Sequence, residues 1–250
     1  MNKELNRDQI KYLAILAMLV GHISEFMFPN NPLYVPLFAI SQVTKITMVY
    51  FLVEGFFKTS SRTKYAYRLL MFGVFTQPIY TLTTKSKSLN MLFTLLLCLL
   101  ILSLLDNKSV DLTTKTVMGV VLLLVSDYCE GTFFSLPVLS IFLYFAYKKK
   151  IKTQTAFFWG LLVYMLYNGS AIVYAYFALG RFMAKEAAMI GLAYLVEVLW
   201  IHFVLMKMYN GKRSKNHRML NQWFFYGFYP LHLVVIYIIN TIFNNFQFSH

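Results

Sequence analysis

Nine apolar runs occupy this chain, separated by breaks too short to fold on their own: Ile10–Phe28, Val35–Phe57, Tyr65–Leu82, Met91–Leu105, Thr116–Val125, Phe133–Tyr147, Phe157–Leu179, Met183–Met206 and Trp223–Phe243. An α-helix needs roughly 20 such residues to cross a hydrocarbon core about 30 Å thick. The runs are continuous rather than alternating, so they read as helices and not as strands of a membrane barrel. Only a helix pairs every backbone N–H and C=O within one segment, which a bilayer demands. Of 250 residues, 58% are hydrophobic and 13% charged, and the charged share is about half that of a soluble domain. The expectation is an all-α fold, a polytopic integral membrane helix bundle with about nine to ten transmembrane helices. It forms a single transmembrane domain over residues 1–250. Thr116–Val125 is short and requires tilt or extension by its neighbours, and Asn168-Gly169 offers a place to divide Phe157–Leu179 and reach ten.

The net charge of +13 sits mostly in the breaks: Lys58, Arg62 and Lys64; Lys148, Lys149, Lys150 and Lys152; Lys207, Lys212, Arg213, Lys215 and Arg218. That is the signature of cytoplasmic loops. Lys3 and Arg7 place the N-terminus in the cytoplasm of a multi-pass cell-membrane protein, and nine crossings bring all three basic breaks to that side. No basic–aromatic platform of the kind that single strands need is present, so nucleic acid is not an expected partner. Cys98 and Cys129 have neither framework nor metal spacing, and no metal is expected. Ile10–Phe28 reads as a span, with no small-residue cleavage site after it.

Function must then lie with the ionisable groups inside apolar runs, which are costly there without a partner or a role. Lys11 and His22, eleven residues apart, return to within about 20° on a helix and lie about 16 Å apart along its axis. His22 and Glu25, three apart, read either as a carboxylate-oriented general base or as a satisfied polar pair near the outer helix end. Lys11 also fits a snorkelling anchor. Lys45, near the middle of the second run, calls for an interior-facing side. Glu54 stands four before Lys58, the spacing of an ion pair. Lys58, Arg62, Lys64 and Arg68 form a grip for an anionic ligand at the inner face, although topology alone accounts for the first three. Asp127 and Glu130 close the fifth run, as site residues or as loop solvation. Glu197 and His202, five apart in the eighth run, do not face each other. In the last run Tyr229 lies three before His232, with Pro230 between them freeing a backbone carbonyl.

Several blocks together resemble the TraX family of membrane proteins: Phe225-Tyr226-Gly-Phe-Tyr229-Pro230-Leu-His232-Leu, Tyr209-Asn210-Gly211-Lys212-Arg213, Glu54-Gly55-Phe56-Phe57-Lys-Thr59 with Lys64-Tyr65-x-x-Arg68-Leu69, Leu89-Asn90-Met-Leu-Phe93-Thr94 and Asp127-Tyr128. The resemblance runs in order through nearly the whole chain. It implies a link to acetylation of pilin and to wider membrane acyltransferases, whose first span carries Arg/Lys-x10-His; Lys11 and His22 match that spacing. Two places depart from the family pattern. Gly21 stands where an Asp is common before the histidine, and Ser41-Gln42 and Ile46 stand near a common Gly-Arg pair and proline, with Lys45 as the nearby cation.

The resemblance implies an acetyl-CoA-dependent acyltransferase with a peptide or cell-surface glycan as acceptor and the lipid bilayer as its surroundings. In that reading His22 is the base, Glu25 orients it, and His232 and Tyr229 line the same cavity. Lys11, Arg62, Lys64 and Arg68 meet the donor's phosphates. Lys45, Glu54, Asp127 and Glu130 are further polar candidates. The alternative is a non-enzymatic transporter, or an immunity or export factor for a peptide, since intramembrane charges also mark substrate pathways.

Overall fold

The computed structural model describes the backbone of residues 4–28, 31–130, 135–181, 183–214 and 218–247, and their side chains except those of 127–130, 218–219, 222 and 243–247. Among the described residues the apolar runs lie on helices: α1 (Arg7–Met27), α2 (Tyr34–Ser41) and α3 (Val43–Lys58) on the second run, α4 (Arg62–Thr84), α5 (Met91–Asp106), α6 (Leu112–Glu130), α7 (Ser135–Tyr147), α8 (Thr153–Leu179), α9 (Ala184–Trp200), which continues as a π-helix over Ile201–Met208, and α10 (Arg218–Gln247). Five stretches are long and apolar enough to cross a membrane: Arg7–Met27, Tyr34–Lys58, Thr153–Leu179, Ala184–Met208 and Trp223–Ile242. The protein is an all-α helical membrane protein.

Local chemistry explains where the helices break and where they do not. Between α2 and α3, Ser41 Oγ donates to the Phe38 carbonyl at 2.6 Å and Gln42 Nε2 donates to the same carbonyl at 3.2 Å. Such side-chain bonds compete with the backbone ladder, and the run expected as one helix is interrupted at Gln42. Asn168 instead donates back to the Tyr164 carbonyl of its own helix at 2.8 Å, and α8 continues unbroken through Gly169.

Two compact units make up the chain. The first comprises residues 1–47, 74–87 and 191–250. At its α1 end, Asn6 and Gln9 form a capping box, satisfying two of the N–H groups that a helix start leaves bare. Leu5 pairs with Tyr209 in a parallel bridge. The Arg7 N–H donates to the Lys212 carbonyl, and the Ser214 N–H donates to the buried Asp8 carboxylate at 3.0 Å. Further along, the Tyr12 hydroxyl donates to Asn221 at 2.9 Å, and His22 meets His232. The contacts advance together on both helices, so α1 and α10 run parallel. Parallel first and last crossings correspond to an odd total. The α2–α3 segment runs back along α1: Gly21 lies against Ser41 so closely that a Cβ would overlap that side chain, and Thr44 Oγ1 donates to the Ala14 carbonyl at 2.6 Å.

The second unit comprises residues 48–73 and 88–190. Gly160 of α8 packs onto Leu139 of α7 with no space for a Cβ. Phe57 and Tyr147 stack with centroids 4.2 Å apart. Fully buried Asn90 caps α5 through the Leu92 N–H and donates to the Gly73 carbonyl at 2.8 Å.

Candidate active site

The first unit brings two histidines together from helices at opposite ends of the sequence. His22 Nδ1 lies 2.9 Å from His232 Nε2, and the rings are nearly parallel, 5.1 Å between centroids and 17° between planes. His232 Nδ1 lies 2.9 Å from the Phe228 carbonyl oxygen, one turn back on α10. A carbonyl only accepts, so His232 Nδ1 carries the hydrogen. In the neutral pair His232 Nε2 is then the acceptor, and His22 Nδ1 is the donor. This assignment follows from the hydrogen-bond network. It leaves the lone pair of His22 on Nε2. Phe228 stacks on His232 at 5.2 Å and 11°, and buried Tyr229 packs beside it at 5.6 Å.

Lys45 of α3, Glu25 of α1 and Glu197 of α9 all belong to the same unit as His22 and His232. Glu25 is exposed, in the last turn of α1. Among the described residues, the side chain hydrogen-bonded to His22 is His232. Glu197 of α9 is 2% exposed, and its Oε2 has no hydrogen-bond partner. Sequence reasoning left Glu197 outside the site. The available signal was a carboxylate inside an apolar run, whose orientation depends on helix phase.

Lys11 places its ammonium 5.2 Å from the centre of the Phe225 ring on α10. It shares α1 with His22 and neighbours the half-buried Arg7. Arg62, Lys64, Arg68 and Glu54 belong to the second unit. There Glu54 pairs with Lys58 at 2.7 Å. Arg62 binds Asp106 at 2.8 Å and covers the Phe56 ring at 3.9 Å. Lys148 and the Tyr144 hydroxyl complete that carboxylate's shell at 2.6 and 2.9 Å. Asp106 ends α5 beyond the apolar run, and the Lys148 hydrogen bond is the foremost cause that holds its carboxyl down to about 2. Lys64 is exposed, and Arg68 lies 5.7 Å from the Tyr65 ring centre. The Asp127 and Glu130 side chains lie outside the described residues. Among the described residues, no group of three or more His, Cys, Asp or Glu side chains is arranged to hold a metal ion.

Residues 6–240 match the family described as TraX protein. The chain is also similar, at 28% identity over 94% of its length and 96% of the relative's, to a probable fimbrial assembly protein FimC, serogroup H1, of Dichelobacter nodosus. No solved structure matches it.

Proposed function

Because this chain belongs to the TraX family of membrane proteins, we propose that it is an integral membrane acyltransferase in which His22 is the general base. The donor is cytoplasmic acetyl-CoA, and the acceptor is an amine or hydroxyl of a peptide or surface glycan. The observation that carries the reading is the His22–His232 hydrogen bond with its anchor on the Phe228 carbonyl. A base must be oriented and must hold its lone pair toward the substrate. The carbonyl fixes the tautomer of His232, His232 fixes that of His22, and Nε2 of His22 is left to take a proton.

In the reaction the acceptor heteroatom bonds to the thioester carbonyl carbon while its proton passes to His22 Nε2. The resulting imidazolium keeps Nδ1–H on His232 Nε2, so its charge is shared along the relay. The tetrahedral intermediate then breaks its carbon–sulfur bond, and the thiolate takes the proton from His22. No proton is gained or lost. A base of this kind contributes about 10²–10⁴ in rate. Lys11, about 16 Å back along α1 by helical rise, is assigned to a phosphate of the donor. The family relative named for fimbrial assembly favours a peptide destined for surface assembly as the acceptor over a glycan.

The test is transfer of radiolabel from acetyl-CoA to peptide in membranes containing the protein. Label above that of membranes lacking it is the expected result. A transporter reading draws on Lys45, Glu25 and Glu197, ionisable groups within apolar runs, since charges within helices also line substrate paths. Absence of label in every envelope fraction, with peptide movement that depends on Glu197, supports that reading instead.

A further inference from the structure

The Tyr209-Asn210-Gly211-Lys212-Arg213 block takes no part in the mechanism above. In the fold it lies against the start of α1. The Leu5 N–H donates to the Met208 carbonyl at 3.1 Å, the Asn210 N–H donates to the Leu5 carbonyl at 2.9 Å, and the Arg7 N–H donates to the Lys212 carbonyl at 2.9 Å. Gly211 turns the chain with φ at 75°, a left-handed conformation that glycine adopts without steric penalty. The Lys212 N–H donates to the Asn210 side chain at 2.8 Å. The turn carries Arg213 to the carboxylate that Arg7 also approaches.

That carboxylate is Asp8. Its Oδ2 accepts from the Ser214 N–H at 3.0 Å. Arg7 Nε lies 3.9 Å from Oδ1, and Arg213 Nε lies 4.0 Å from Oδ2. Both are ion-pair separations, beyond the length of a hydrogen bond. The Asp8 side chain is 4% exposed, that of Arg7 13% and that of Arg213 32%. Buried Arg7 Nε has no hydrogen-bond acceptor among the described residues, and a buried donor left in this way is costly. One carboxylate offsets one of the two guanidinium charges, and Lys11, one turn on from Arg7, adds a third cation. The place therefore holds surplus positive charge, reached from solvent on the Arg213 side. A phosphate supplies the opposite charge and the acceptor oxygens, and guanidinium forks match its geometry.

We propose that Arg7 and Arg213 bind the phosphates of the acyl-CoA donor. The inference rests on the acyltransferase reading and says where that donor is held. Arg7 lies about 22 Å from His22 along α1 by helical rise, with Lys11 between them. An extended pantetheine arm runs along that distance, so the diphosphate rests on the arginines while the thioester meets His22. Arg7, Lys11 and Arg213 belong to the unit that contains His22 and His232, whereas Arg62, Lys64 and Arg68 belong to the other.

The test uses the full chain in nanodiscs of neutral phosphatidylcholine, with CoA, 3′,5′-ADP and pantetheine as probes in calorimetric titrations. CoA should bind the wild type, and 3′,5′-ADP should compete with it. Arg213→Met should weaken CoA binding about 10–100-fold, the worth of hydrogen bonds to a charged group. It should not weaken binding of pantetheine, which has no phosphate. Arg7→Lys keeps the buried charge but loses the planar fork, and should weaken CoA by a smaller factor. Thermal melts without ligand establish that each variant is folded. Equal CoA affinity in the wild type and both folded variants overturns the proposal. So does a wild type that binds no CoA, or one whose CoA 3′,5′-ADP does not displace. A rise in wild-type Tm on adding phosphatidylglycerol that Arg213→Met abolishes, with CoA affinity unchanged, assigns the arginines to lipid phosphates and also overturns it. Arginine-dependent CoA binding without acetyl transfer leaves the site standing and removes the acyltransferase reading. Acetyl transfer with the same KM for acetyl-CoA in wild type and Arg213→Met removes the site and leaves that reading.

Discussion

His22 and His232 stand 210 residues apart in the chain and 2.9 Å apart in the fold. The bond is directional, because the Phe228 carbonyl dictates which nitrogen of His232 carries the hydrogen. A substitution at 232 should therefore be judged by whether it can still accept from His22 Nδ1. His232→Gln places an amide oxygen there and should retain most of the transfer rate. His232→Leu removes the acceptor and should lose about 10²-fold, the lower part of the range for a disabled base. Initial rates of acetyl transfer at matched protein levels check the difference. Equal rates in the two variants would show that the relay does not orient the base.

Gly21 and Ser41 make a separate structural prediction. A Cβ at position 21 overlaps the Ser41 side chain, so Gly21→Ala should destabilise the α1–α2 contact by about 1–3 kcal/mol, the usual cost of overpacking. Gly21→Ala combined with Ser41→Gly should recover most of that loss in thermal melts. The same contact gives a physical reason for the absence of an Asp at 21: a larger side chain requires a smaller residue at 41.

Asp106 predicts a pH dependence. Its carboxyl is depressed to about 2, first by the Lys148 hydrogen bond. A depressed carboxyl contributes stability that is complete above the unfolded value of about 3.9 and is lost as pH falls through the folded one. Asp106→Asn should therefore lower Tm by the same amount at every pH from 5 to 8, and the gap should close only below about 4. Its cations are about 40% exposed, so solvent screening keeps the cost near 1 kcal/mol. Melts across that pH series decide the matter.

The parallel course of α1 and α10 predicts topology. The backbone bonds between residues 5–7 and 208–212 hold the start of α1 and the approach to α10 at one end. Reporters at the N-terminus and near Lys212 should therefore report the same side of the membrane, and a C-terminal reporter the opposite side. N- and C-terminal reporters on one side would contradict the odd number of crossings.

The helices were legible because apolar run length is a one-dimensional property, and the bilayer permits one spanning solution for continuous runs. His22 and His232 were legible singly, each as a costly ring in an apolar helix. Their pairing was not, because it depends on how α1 and α10 pack. The i,i+3 spacing of His22 and Glu25 is visible in a sequence, whereas in the fold a tertiary contact with His232 supplies the hydrogen bond of His22. Lys45 stood out as a mid-run cation. The burial of Glu197 did not, since it depends on how α9 packs against distant segments. The break at Gln42 arises from side chains competing for one carbonyl, a local effect that hydrophobicity alone does not register.

The most direct test of the central claim is the acetyl-transfer rate of His22→Ala against wild type, in membranes with equal amounts of folded protein. The account predicts a fall of about 10²–10⁴-fold, the contribution of a general base. A rate near wild type would contradict it.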